Sequence, residues 1–205
     1  MDLKKKKFSL VYKNIHIYRF IMNIIYLGKY NERFKIITDL FNPKTEQTIV
    51  ELCFGDIIIA HWCKLNKINW IGFDINQQFI KNAKLKGYNA HYRDILKLEV
   101  LPRSDAVVLM GSLYQFHESL NDLINCVMNS TSKFIISEPI RNIASTNNIF
   151  GYLAKRLTKV GNGNEQFRYD YHNLYRSIRA ACNNKFIISE IKKTQKDLIL
   201  VIQKI

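Results

Sequence analysis

Residues 50–56, which read VELCFGD, decide the fold of this chain. An apolar run ends in an acid, a glycine and an aspartate, a pattern typical of a buried strand that enters a tight turn. We therefore predict a strand over residues 48–54 and a crossover helix over residues 57–67, with Asp56 as its N-cap. The alternative is a hairpin turn, but a strand over residues 57–67 would lack polar–apolar alternation.

The same alternation of strand and helix continues through the middle of the chain. Further strands are predicted at residues 70–75, 89–94, 105–112 and 133–139, and helices at residues 77–87 and 118–129. Strands that alternate with helices in this way indicate βαβ units and a parallel sheet. Residues 185–205 contain two further strand patterns joined by a polar turn, which predicts an antiparallel hairpin at the end of the chain.

The length of 205 residues fits a single domain. Residues 1–47 are predicted to be mainly helical, with Phe34, Ile37 and Leu40 at helical spacing. Residues 141–182 are predicted to form helices on either side of a turn-rich loop, with one helix over residues 167–182.

The net charge of +14 is concentrated at the two ends of the chain. Residues 1–47 hold ten basic and four acidic residues, residues 141–205 hold twelve and four, and the middle holds nine of each. This distribution predicts an anionic partner at the flanks. The alternative is a solvated coat of lysines with no partner.

Composition also bears on the cellular compartment. No apolar stretch reaches the roughly 18–20 residues that a membrane span requires. The start MDLKKKK lacks the apolar core and cleavage site of a signal peptide, which predicts a cytoplasmic protein. The four cysteines have no CxxC spacing, so we expect reduced thiols and no metal site.

Three residues are predicted to meet at the carboxyl edge of the sheet, where parallel sheets bind ligands. Gly55 would allow close approach of a ligand to the backbone. Asp74 ends the second strand, 23 residues after Glu51, near the spacing at which an acid accepts both protons of a ribose diol. Asp94 ends the third strand, where an adenine amine would lie.

These residues resemble motifs of the class I S-adenosylmethionine-dependent methyltransferases. VELCFGD resembles the first motif, acid-x-Gly-x-Gly-x-Gly, and GFDIN resembles the second. YRDILKLEVLPRSDAVVL is similar to the stretch from the adenine-site acid to the fourth strand, and MGSLYQFHE to the segment after that strand in the small-molecule branch. The resemblance covers residues 48–140, and the terminal hairpin in topology.

The resemblance implies a Rossmann-like, doubly wound, mostly parallel sheet that ends in an antiparallel hairpin and carries a helical N-terminal cap. It implies S-adenosyl-L-methionine as the cofactor and residues 48–140 as the cofactor-binding core, with residues 1–47 and 141–182 covering the acceptor side. The implied cofactor-binding residues are Glu51, Cys53, Gly55, Asp74, Ile75, Asp94, Ile95 and Gly111.

The first motif departs from the family pattern at two positions. Cys53 stands where the first glycine belongs and Ile57 where the third belongs. We therefore expect negative φ angles at both residues and a tighter pocket. The Pro-Pro-aromatic signature of many base-methylating relatives is also absent after the fourth strand, which favours another type of acceptor.

The function that follows is methyl transfer to a small-molecule, lipid-linked or glycan-linked acceptor, which the charge predicts to be anionic. His117 and His172 are the candidate general bases, because imidazole titrates near neutral pH. Tyr114 and Arg168 are candidate acceptor-binding residues, and Arg168 and His172 are predicted to share one helix face. Each histidine also has a simpler interpretation as a surface residue.

Three alternatives stay open on the sequence. An RNA methyltransferase would explain the charge, although lysine outnumbers arginine and no recognition module is evident. A nicotinamide-dependent oxidoreductase would require the missing G-x-G-x-x-G pattern. A non-catalytic binding protein would explain the altered first motif. Residues 15–30, which follow the basic cluster at residues 4–7, also predict contact with the inner face of an anionic membrane.

Overall fold

A single seven-stranded sheet organises the chain. The computed structural model describes residues 14–97, 99–140 and 167–205. Within them the spatial order of the strands is β3-β2-β1-β4-β5-β7-β6. Their bounds are β1 Thr48–Leu52, β2 Asn69–Asp74, β3 Asn89–Tyr92, β4 Ala106–Met110, β5 Lys133–Pro139, β6 Phe186–Lys193 and β7 Asp197–Lys204.

Strands β1 to β5 run parallel, and the last two strands form the predicted hairpin. Strand β7 lies antiparallel between β5 and β6, so that Ile135 pairs with Val201. The order reverses at β1, which has β2 on one side and β4 on the other. Such a switch point opens a crevice at the carboxyl ends of the strands. The predicted mostly parallel sheet with an antiparallel ending is confirmed.

Helices cover both faces of the sheet, which confirms the doubly wound architecture. Their bounds are α1 Ile15–Ile25, α2 Tyr30–Thr38, α3 Ile58–Leu65, α4 Gln77–Leu85, α5 Leu120–Ser130 and α6 Tyr171–Cys182. One apolar layer joins α5 and α6 to side chains such as Val50 of β1. The opposite layer joins α2, α3 and α4 to side chains such as Ile49. Neighbouring residues of β1 thus face opposite layers, as strand geometry requires.

Two predicted helix starts are wrong. Ile57, and not Asp56, is the N-cap of α3, and no side chain caps this helix. Helix α6 begins at Tyr171, because the Asp170 carboxylate caps it by accepting the N–H of Asn173 at 2.8 Å. Arg168 therefore precedes the helix and does not share a helical face with His172.

Part of the predicted acceptor-side segment, residues 141–166, lies outside the described residues, as do residues 1–13 and 98. Among the helices that the structure describes, none is long and apolar enough to cross a bilayer.

Candidate functional site

The loop after β1 keeps a glycine-like backbone although its first glycine is absent. Cys53 has φ +52° and Gly55 has φ +55°. The expectation of negative φ is thus wrong at Cys53, and it is confirmed at Ile57, where φ is −101°. Left-handed backbone is unfavourable for a residue with a Cβ atom. In this left-handed conformation the Cys53 N–H donates a hydrogen bond to the carbonyl of Phe73 in β2, at 2.7 Å.

The Asp74 carboxylate, at the end of β2, hydrogen-bonds this loop. Its Oδ2 accepts the Gly55 N–H at 3.1 Å, and its Oδ1 accepts the Asn76 N–H at 2.7 Å. Burial raises the pKa of Asp74 to about 6, although hydrogen bonds from the backbone N–H groups of Asn76, Gly55 and Ile75 act to lower it. Each oxygen of a carboxylate has a second lone pair, so Asp74 retains capacity to accept hydroxyl protons.

Cys53 is the point at which three strand ends converge. Its thiol hydrogen-bonds the side chain of Ser112, which follows β4. Burial raises the pKa of the thiol, and the negative charges of Asp74 and Asp94 raise it further. The carboxyl ends of β1, β2 and β4 and the segment after β3 therefore meet around one thiol. This thiol is held protonated, which makes it a poor nucleophile.

Helix α1 lies against the same loop. A Cβ atom on Gly55 would come within 3.1 Å of the Tyr18 hydroxyl, so Tyr18 occupies the space beside this glycine. Arg19 makes a two-point ion pair with Asp56, at 2.9 Å from Nε to Oδ2 and 2.6 Å from Nη2 to Oδ1. Asp56 is fully buried, so its charge depends on this partner. The carboxylate predicted to cap α3 instead anchors α1.

A buried arginine lies at the next strand ends. Arg33 of α2 is 3% exposed, and its Nε lies 2.8 Å from Oδ2 of Asp197 at the start of β7. Its Nη1 donates to the Tyr26 hydroxyl, which in turn donates to Asp197 at 2.9 Å. Its Nη2 has no hydrogen-bond partner among the described residues and would lie 3.4 Å from a Cβ atom on Gly111. A buried guanidinium thus leaves an N–H group unpaired beside the end of β4.

Two predicted acceptor residues meet near the ends of β4 and β5. The guanidinium carbon of Arg168 lies 4.1 Å from the centre of the Tyr114 ring. His117 stacks on Phe167, with ring centres 4.4 Å apart, and its Nδ1 lies 3.1 Å from the Tyr114 carbonyl oxygen. A carbonyl can only accept, so Nδ1 carries the proton in the neutral ring and Nε2 is free to accept one. Glu118 lies 3.5 Å from that Nε2.

Glu138 of β5 adds a buried carboxyl group to this region. Its Oε2 accepts the Leu113 N–H at 2.9 Å. Burial raises the pKa of Glu138 to about 8, against the lowering effects of that N–H and of Arg33 and Arg168. The carboxyl group is therefore mainly neutral at pH 7. Burial and the charge of Glu138 raise the pKa of Tyr169, and within the part of the chain that the structure describes its buried hydroxyl has no hydrogen-bond partner.

A cleft of about 360 Å³ is lined by His117 and Glu118, by the first turn of α5 and by Ser177, Ala180 and Ala181 of α6. None of the residues around Cys53 lines it. The polar groups that converge at the strand ends therefore define the candidate site, and this cleft does not.

Comparison with solved structures identifies the architecture. The magnesium protoporphyrin IX methyltransferase of Synechocystis PCC 6803 aligns with a TM-score of 0.62 at 13% identity, over 92% of this chain and 93% of that one. PigF aligns with a TM-score of 0.64 at 15% identity over 95% of this chain, and an Escherichia coli rRNA methylase with 0.57 at 14% over 86%. This is the class I methyltransferase fold.

At these identities the likeness concerns the fold. The chain spans 61% of the length of PigF and 65% of that of the E. coli rRNA methylase, so it covers less than two thirds of each. No protein-family profile matches the sequence, and no curated protein matches it in sequence. The class I fold places the carboxyl ends of β1, β2 and β4 at its switch point, where Cys53, Asp74 and Ser112 meet.

The structure brings together some of the predicted residues and separates others. Cys53, Gly55, Asp74 and Asp94 share the β1–β3 edge. Ile75, which is partly buried, and Ile95, which is buried, directly follow Asp74 and Asp94. Glu51, although next to the loop, is fully buried and accepts the indole N–H of Trp70 at 2.8 Å. Burial raises the pKa of Glu51 well above its usual range, so this carboxyl is a core group whose surroundings favour the protonated form.

His172 is exposed in the first turn of α6, where its ring contacts only that of Tyr171 among the described aromatic residues. The residues that sequence reasoning missed are Tyr18, Arg33, Ser112 and Tyr169. Arg33 carried a usable signal, because it shares the helical spacing of Tyr30, Phe34 and Ile37, and a charge on an apolar face requires a buried partner.

Proposed function

We propose that this protein is an S-adenosylmethionine-dependent methyltransferase whose acceptor is a small or lipid-linked anionic molecule. The observation that carries the proposal is Asp74, a buried carboxylate at the end of β2 that holds the Gly55 loop and retains free lone pairs. This is the chemistry that a ribose diol requires. Solved structures of similar fold, including PigF and the Synechocystis enzyme, contain S-adenosylhomocysteine.

The polar groups at the strand ends fit this cofactor. Asp74 would accept the ribose hydroxyl protons, and Asp94 would accept from the adenine amine. Ile75 and Ile95 would contact the apolar faces of the nucleoside. The unpaired Nη2 of Arg33, buried beside Gly111, suits the carboxylate of the methionine portion, because a guanidinium binds carboxylates through charged hydrogen bonds. When bound, the sulfonium supplies an activated methyl group and a neutral leaving group.

The protein's own residues then have to orient the acceptor and take its proton. Arg168 is held on the ring of Tyr114, from which position it would bind an acceptor anion. His117 has its Nδ1 committed to a carbonyl, so its Nε2 is the atom that would accept a hydroxyl proton. Correct alignment alone corresponds to effective molarities of ~10⁵–10⁸ M, which makes positioning the larger contribution. His172, exposed on α6, stays the weaker of the two predicted bases.

Cofactor binding is tested by calorimetry and thermal melting with S-adenosylhomocysteine. We expect the ligand to raise the melting temperature and NAD to leave it unchanged. Asp74→Ala should weaken binding by more than about tenfold, since the ribose would lose a charged partner. Asp122→Ala removes an exposed carboxylate on α5 and serves as the matched control. Equal binding by Asp74→Ala and the parent protein would contradict the proposal.

RNA is the second candidate acceptor. The net charge of +14 favours it, and 16S rRNA methylases are among the structures of similar fold. Radiolabelled S-adenosylmethionine, offered with total RNA in one reaction and with a lipid and small-molecule extract in another, separates the two. Methyl transfer to RNA alone would show that RNA is the acceptor in place of a small or lipid-linked molecule. The assignment of the cofactor would stay unchanged. Cofactor binding without transfer to either would indicate a binding protein on this fold.

A further inference from the structure

Helix α1 exposes an apolar ridge on the side that faces away from the domain. The exposed fractions are 47% for Ile17, 65% for Phe20, 43% for Ile24 and 61% for Leu27. Ile17, Phe20 and Ile24 lie three and four residues apart, so they form one row along the helix, and Leu27 follows in the turn after it. We call these four residues the outer ridge.

The outer ridge does not hold α1 to the protein. The contacts that do so come from the opposite side, through Tyr18 beside Gly55 and Arg19 on Asp56. No residue of α1 is itself buried. The helix is therefore apolar on a face that contributes nothing to its own docking. Large apolar side chains in a row on a surface indicate a binding face.

The sequence that contains the outer ridge carries charge of a single sign. No aspartate or glutamate occurs between Asp2 and Glu32, whereas this stretch contains Lys4, Lys5, Lys6, Lys7, Lys13, Arg19 and Lys29. Arg19 is already paired with Asp56, so the positive charge available to a bilayer is that of the lysines that precede and follow α1 in the sequence. An amphipathic helix flanked by lysines in the sequence has the composition of helices that lie in the interface of an anionic bilayer. RNA would satisfy the lysines but would leave the apolar ridge in water.

We propose that the outer ridge of α1 inserts into the interface of an anionic lipid bilayer, with the neighbouring lysines on the lipid headgroups. Acyl chains take up the side chains of the ridge, and anionic headgroups neutralise the basic residues without a specific protein partner. This inference does not depend on the proposed catalytic function, because it rests on the opposite face of α1 from the one that contacts the Gly55 loop.

The test is co-sedimentation of the full chain with two kinds of vesicle, phosphatidylcholine alone and an equal mixture of phosphatidylcholine and phosphatidylserine. We expect binding to the mixture and little to the neutral vesicles. Phe20→Ser with Ile24→Ser should reduce binding roughly tenfold or more, since two apolar side chains no longer leave water. Changing Lys4–Lys7 to glutamine should also reduce it roughly tenfold or more.

The matched control is Leu65→Ser with Leu85→Ser, which removes two leucines that are 70% and 78% exposed on other helices. It should bind vesicles like the parent. Thermal melts establish that each variant is folded. If a ridge variant does not fold, Phe20→Trp gives a second measurement, because its fluorescence should shift to the blue with phosphatidylserine vesicles and that of Leu85→Trp should not.

Three outcomes would overturn the proposal. Equal binding by the folded ridge variant and the parent would mean that the lysines act alone. Equal loss in the control would mean that any exposed apolar residue suffices. A parent protein that ignores vesicles but is dimeric by light scattering, and becomes monomeric with the ridge substitutions, would show that a second copy covers this face.

Discussion

At the scale of single residues, the candidate site combines a strained backbone at Cys53 with a raised pKa at Asp74. Cys53 occupies left-handed backbone where glycine would be unstrained. We predict that Cys53→Gly is more stable than Cys53→Ala by roughly 1 kcal/mol, because both remove the thiol and only glycine relieves the strain. Urea unfolding of the two variants measures the difference. Alanine equal to glycine would mean that the loop can relax, and in either variant we expect cofactor affinity to stay near that of the parent.

The raised pKa of Asp74 predicts that both stability and cofactor affinity depend on pH. Its pKa is raised on folding from 3.8 to about 6, so its contribution favours the folded state most at a pH below 3.8 and is lost as the pH rises to about 6. That decline amounts to roughly 3 kcal/mol. The proposed ribose contact needs the ionised form, so affinity for S-adenosylhomocysteine should fall about tenfold per pH unit below 6. Calorimetry across this range checks it, and Asp74→Asn should bind weakly with no such dependence.

At the scale of elements, the ion pair between α1 and the loop is the feature with the clearest consequence. Arg19→Gln should destabilise the protein by about 2 kcal/mol, because it leaves the buried Asp56 unpaired, while the half-exposed position of Arg19 moderates the loss. Adding Asp56→Asn to the Arg19→Gln variant should recover part of the lost stability. Arg176→Gln, on the exposed face of α6, should change stability by less than about 0.5 kcal/mol. An equal loss of stability in Arg176→Gln and Arg19→Gln would contradict this account.

The sequence was sufficient for the elements and for much of the edge of the site. The strand patterns predicted β1 to β7, because the central strands β1, β4 and β5 each contain an apolar run and a polar turn joins β6 to β7. Asp74 and Asp94 were predictable, since Asp74 is the last residue of β2 and Asp94 lies two residues after the end of β3. The φ angle of Cys53, the role of Asp56 and the start of α6 were not, because each depends on a partner from another element. Arg19 and Tyr18 come from a helix whose packing direction no local pattern specifies.

At the scale of the whole molecule, the ion pair between Arg33 and Asp197 joins two residues that are 164 positions apart in the chain. Because both groups are buried, Arg33→Met and Asp197→Asn should each destabilise by roughly 3–5 kcal/mol, whereas the double variant should lose clearly less than the sum. Chemical denaturation of the four proteins gives the coupling energy. Additive losses would mean that Arg33 is held by the Tyr26 hydroxyl and by the rings of Tyr26 and Phe34, and not by this carboxylate.

The position of β7 in the sheet has a consequence for the order in which a newly made chain can fold. Within the described sheet β6 pairs only with β7, yet β6 precedes it in the chain and therefore leaves the ribosome first. Until β7 follows, β6 has no neighbour, β5 keeps an open edge, and Arg33 and Tyr26 lack their carboxylate. Residues 48–139 can pair into five parallel strands during synthesis. The edge of the sheet next to β5, and the ion pair that ties the N-terminal helices to it, must wait for the segment that begins at Asp197.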